Sequence, residues 1–143
     1  MTYPERFQKI MAEYYMAVQE VQEVQGKRKF FDGLLGMGNH PGNAACHEAM
    51  DRQVMDLCRE AAGEAGPEEA AGLIREIYDA EEKWHGPEYA RLMLVAVQRH
   101  TMTMIDRLEE KDRQEMAQQY AKRYPRRKRL PVQDQILERL MNA

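Results

Sequence analysis

The sequence predicts an all-α fold, a four-helix up-down-up-down bundle with an additional short C-terminal helix, on three observations. The 143 residues hold sixteen Ala, eleven Met and ten Leu against seven Val, five Ile and three Thr, a composition that favours helix over strand. Apolar residues recur three and four positions apart along most of the chain instead of alternating. Gly and Pro turn signals interrupt that pattern at few places, which leaves segments long enough to enclose one core.

The first helix begins at Thr2, which with Glu5 three residues on makes a capping-box pattern, and is expected to run to about Gly26. Its buried stripe is Phe7, Ile10, Tyr14, Ala17, Val21 and Val24, broadened by Met11 and Val18. Lys27, Arg28 and Lys29 follow, and then Phe30, Phe31, Leu34 and Leu35 predict a short extra helix. Gly33, Gly36, Gly38 and Gly42 mark the main irregular segment. A second helix, from the cap residue Asn43 to Gly63, is expected to bury Cys46, Met50, Val54, Leu57 and Ala61. The third starts at Pro67 with Glu68 and Glu69 at the positive end of its dipole. It buries Ala70, Leu73, Ile74, Ile77, Ala80 and Trp84 before stopping near His85-Gly86. The fourth is expected to run unbroken from Pro87 to about Tyr120, with Tyr89, Met93, Val97, His100 or Thr101, Met104, Ile105 and Leu108 as its seam. Glu109 to Glu115 is charged enough to project from the body or to need a partner. Pro131 opens the last short helix, with Val132, Ile136, Leu137, Leu140 and Met141.

The chain divides by charge. Residues 1–121 carry 14 Lys/Arg and 22 Asp/Glu, and residues 122–143 carry 7 and 2, so a body at −8 is joined to a tail at +5. The expected organisation is an acidic bundle domain over 1–121 and a basic connector with a docking helix over 122–143, either part of the same domain or a dimer-forming arm. The start lacks a basic segment followed by an apolar run, and no stretch approaches the ~18 apolar residues of a membrane span. A cytoplasmic protein with no membrane partner is expected. Cys46 and Cys58, roughly 18 Å apart if they share a helix, are expected as thiols in that compartment.

Serine is absent, which excludes a serine nucleophile, and there is no G-K-[ST] phosphate loop. Chemistry therefore falls to cysteine, histidine and carboxylates. In the bundle the second and fourth helices begin at one pole, which gathers His40, Cys46, His47 and His85 there, with Lys27 to Lys29 nearby. These residue types ligate a transition metal such as zinc. Two helix N-termini at the same pole would favour an anion and lower a thiol pKa, which makes Cys46 the candidate catalytic thiolate. Against a metal, Cys46 and His47 are adjacent and about 100° apart on a helix, and no C-x-x-C or paired-His spacing is present. His47 and Asp51 share a helix face, and His100 is expected as a boundary histidine away from the pole. The basic run Lys122, Arg123, Tyr124, Arg126, Arg127, Lys128 and Arg129 suits the phosphates of a nucleic acid, with Tyr124 stacking a base, or an acidic partner.

The expected function is a non-catalytic helical protein-interaction or regulatory domain that pairs with itself as a homodimer or with another protein. The alternatives are a metal- or small-anion-binding protein or thiol-based enzyme using the His/Cys pole, and a nucleic-acid binder using residues 122–129.

Overall fold

The computed structural model describes residues 1–35 and 42–142, and their side chains over 1–23 and 44–142. All regular structure among these residues is helical. It comprises α1 (Tyr3–Leu35), α2 (Gly42–Glu64), α3 (Pro67–Lys83), α4 (Glu88–Ala96), two 3-10 segments (Val97–Thr103 and Ile105–Arg107), α5 (Glu110–Arg123), a 3-10 turn (Arg126–Lys128) and α6 (Pro131–Asn142). No helix among the described residues is long and apolar enough to cross a membrane.

The capping box forms at the start of α1. The Glu5 N–H donates to Thr2 Oγ1 at 3.2 Å, and the Thr2 N–H donates to the Glu5 carboxylate at 3.1 Å. The helix does not stop at Gly26. It runs on to Leu35, absorbing the roughly 1 kcal/mol that a mid-helix glycine costs, and the separate short helix expected over Phe30 to Leu35 is its last turns.

The larger departure is in the expected fourth helix, which is three elements rather than one. After Ala96 the chain tightens into 3-10 geometry, and Leu108 and Glu109 are extended before α5 restarts. Two hydroxyls sit on carbonyls three residues back: Thr101 Oγ1 donates to Gln98 O at 2.7 Å and Thr103 Oγ1 to His100 O at 2.9 Å. With three residues per turn, Gln98, Thr101 and Met104 line up along one edge, and all three are fully buried. Arg107 then reaches across to the carbonyls of Ala62 and Ala65, satisfying the end of α2.

Contacts between elements fix their order in space. The start of α1 lies beside the end of α2, through Arg6 to Glu60 at 2.6 Å and the Tyr3 hydroxyl to Glu64 at 3.2 Å. Further along, Tyr14 meets both His47 near the start of α2 and Trp84 after the end of α3. Asp51 of α2 holds Arg99 and His100 at 2.9 and 3.0 Å. The charged stretch that begins α5 is engaged within the chain: Asp112 pairs with Arg75, and Met116, Ala117 and Tyr120 are buried. α6 lies on α5 and on the Val97–Thr103 segment, with Ile136 and Leu140 fully buried. A contiguous apolar core runs from Tyr3 to Leu140.

Candidate functional site

The most developed surface feature is built around Trp84, the one tryptophan in the sequence. α3 ends at Lys83 because Trp84 turns to extended backbone (φ −72°, ψ 128°). Its indole folds back over Gly86 and donates from Nε1 to the Pro87 carbonyl at 3.0 Å. The fold-back depends on glycine, since a Cβ at position 86 would lie 2.5 Å from a ring carbon of Trp84. The indole packs against Tyr14, ring centroids 5.3 Å apart, and meets Tyr15 edge-on at 5.4 Å.

Beside it, between α1 and α3, lies a cleft of about 470 Å³. Phe7, Ala80 and Trp84, all buried, form its floor, and Met11, Ala12 and Tyr15 form a wall. Gln8, Glu76, Lys83 and His85 complete the lining, with Lys83 and Glu76 paired at 3.5 Å. An apolar recess of this size with few polar groups suits a small apolar body or the side chains of a docked helix. Its sequence signal was the breadth of the α1 stripe at Met11, together with Ala12, Tyr15 and Met16 lying outside the core face. A single-stripe reading passes over that signal.

The histidines and cysteine expected at one pole are divided. His85 is exposed and lines the α1/α3 cleft. His47 lines a different, smaller cleft between α2 and α4 together with Glu48, Asp51 and Arg99. His47 Nδ1 lies 2.6 Å from the Tyr14 hydroxyl, and its ring meets Tyr89 edge-on at 5.8 Å. Burial pushes the Tyr14 hydroxyl far above its ordinary range and holds His47 below its usual pKa, and the histidine tautomer sets which of the two donates. Cys46 is half-buried. Its thiol pKa is raised by desolvation, which outweighs the backbone hydrogen bonds at Cys46 and His47. That is opposite to the activation expected at a helix N-terminus. Cys58 is buried in the core with its thiol pushed up to about 12. His40 lies outside the described residues, as do the side chains of Lys27, Arg28 and Lys29. Among the described residues no group of three or more His, Cys, Asp or Glu is placed to hold a metal ion. His100, with 11% of its side chain exposed, is bonded to Asp51.

The basic run is sorted into two classes. Arg123 is bound inward, to Tyr78 O at 2.7 Å, Asp79 at 2.6 Å and Glu82 at 3.2 Å. Arg129 holds the Tyr124 carbonyl at 3.1 Å and Asp134 at 3.2 Å. Tyr124 cannot stack a base as expected, because it is buried with its hydroxyl on Glu81 and Gln98 and its ring against Tyr120. Lys122, Arg126, Arg127 and Lys128 are exposed and make no ion pair among the described residues. No protein-family model, curated protein or solved structure matches this chain.

Proposed function

We propose that this protein is a non-catalytic helical interaction module, an up-down-up-down bundle carrying the α5–α6 pair, that self-associates through the α1/α3 cleft in a reducing, cytoplasmic setting. The observation that carries the reading is the adjacency of cleft and knob. Met16, 71% exposed, directly follows Tyr15 of the cleft wall on the same helix. Met16 also lies one helical turn beyond Ala12 of the cleft lining, and the proposed dimer has a two-fold axis beside this stretch of α1 that seats the Met16 of each copy in the cleft of the other. That is the self-complementary condition for a closed dimer. Aromatic and methionine side chains suit this role, since they bury large area and adapt to a partner surface. Burial raises the thiol pKa of both Cys46 and Cys58, which supports an inert rather than catalytic sulfur.

Sedimentation velocity over a concentration series tests the reading. A monomer–dimer equilibrium is expected, with Trp84 emission shifting to shorter wavelength as the cleft closes, and Met16→Glu is expected to hold the protein monomeric without loss of helicity. A monomer at every concentration, or a dimer indifferent to Met16→Glu, overturns it.

A further inference from the structure

Three exposed cations on one pinned turn, with Lys122 at the end of α5 beside them, remain outside the reading above. The turn Arg126–Lys128 is anchored on both sides: Arg123 and Tyr124 fix its entry, Arg129 fixes its exit, and the Lys128 N–H closes it onto Pro125 O at 2.8 Å. Prolines at 125 and 131 restrict the flanking backbone further. A flexible tail would spread its like charges along the chain, but a pinned turn keeps them on one short stretch of backbone, where a polyanion binds with release of their repulsion.

The shape of the turn selects among polyanions. In 3-10 geometry successive side chains diverge by about 120°, so Arg126, Arg127 and Lys128 form a convex fan rather than a flat array. A flat acidic protein surface or an anionic bilayer meets only part of such a fan. The major groove of a DNA duplex, about 12 Å wide, offers a row of phosphates on each wall, within reach of side chains that point apart. Single-stranded nucleic acid is held largely by stacking on aromatic rings, and the one ring in this run, Tyr124, is buried. The geometry points to a sequence-independent contact with duplex DNA, in which Arg126, Arg127 and Lys128 bridge the two phosphate rows of a groove and Lys122 supports them from the end of α5. The acidic body confines the footprint to this turn.

Fluorescence anisotropy of the full chain with a labelled duplex of about 20 base pairs tests it, beside the matching single strand, polyglutamate and phosphatidylserine vesicles. Three to four phosphate contacts give a slope of log affinity against log salt of about −3, hence a loss of roughly 60-fold between about 50 and about 200 mM salt. Arg126→Ala with Arg127→Ala is expected to reduce the slope to about −1 and to weaken duplex binding at least about tenfold at low salt, and Lys128→Ala alone to remove about one unit of slope. All three side chains are exposed, so the circular dichroism of these variants is expected to match the parent. Absence of duplex binding at low salt, duplex binding unchanged in both variants, or tighter binding of the single strand, polyglutamate or vesicles overturns the proposal.

Discussion

Gly86 and His47 carry the local chemistry around Trp84. In Gly86→Ala the new methyl meets the indole at 2.5 to 2.9 Å, so the ring has to move from its seat on the Pro87 carbonyl or the turn has to shift beneath it. The expected result is a loss of about 1–3 kcal/mol in stability and a red-shifted emission from the sole tryptophan, read by urea titration followed by fluorescence. Unchanged emission would show that the fold-back is not what holds Trp84. The pH behaviour of His47 follows from its depressed pKa. A histidine that resists protonation when folded leaves the unfolded chain binding more protons, so its contribution is present above its ordinary value near 6.5 and lost as pH falls below it. Part of the ring is solvated, so the loss between about pH 7.5 and about pH 5.5 is expected to stay under about 1 kcal/mol. His47→Gln is expected to flatten that part of the profile, and a profile identical in the variant would exclude the assignment.

At the level of single elements, the Val97–Thr103 segment is held by a buried polar network. Gln98 accepts from the Tyr120 hydroxyl at 2.8 Å and donates to Tyr124 at 3.1 Å, while the Tyr78 hydroxyl meets Thr101 at 2.8 Å. Replacing Gln98 with Leu strands the Tyr120 hydroxyl in the core and is expected to cost about 2 kcal/mol. Adding Tyr120→Phe should restore part of that loss, a non-additivity that denaturant titration of the two single variants and the double variant would reveal. Without such coupling the network would not be what secures α5. This segment also shows where sequence reading fails. Starts and stops governed by local chemistry were legible, as at Thr2 with Glu5, at Pro67 and at Pro131, because a cap or a proline acts within a few residues. The stripe of α3 was legible for the same reason, from Ala70 through Trp84. The break after Ala96 was not, since no Gly or Pro marks it and Gln98, Thr101 and Met104 repeat every third residue in a span read at a period of 3.6. Trp84 was legible as a core residue at the end of α3. Its fold-back onto Pro87 and the cleft beside it depend on α1, which sequence spacing does not place.

Across the whole molecule the charge division at residue 121 and the packing give different expectations for how the chain unfolds. By composition, an acidic body and a basic tail are separate pieces. By packing, α5 spans that position, Arg123 is tied to three groups of α3, and Ile136, Leu137 and Leu140 belong to the same apolar core as Phe7 and Trp84. A core without a gap transmits the loss of any buried residue to all of it, and a chain of this size then unfolds as one cooperative unit. Leu140→Ala tests this because Leu140 is fully buried in α6 while Trp84 reports from the end of α3. The substitution is expected to cost about 2–5 kcal/mol, and the Trp84 fluorescence transition and the far-ultraviolet dichroism transition should move together by the same amount. If the dichroism transition splits while the Trp84 transition stays in place, α6 unfolds on its own and the tail is a separate unit. If both move together, the division by charge is a feature of the surface alone, and the basic turn is displayed by the same cooperative body that carries the α1/α3 cleft.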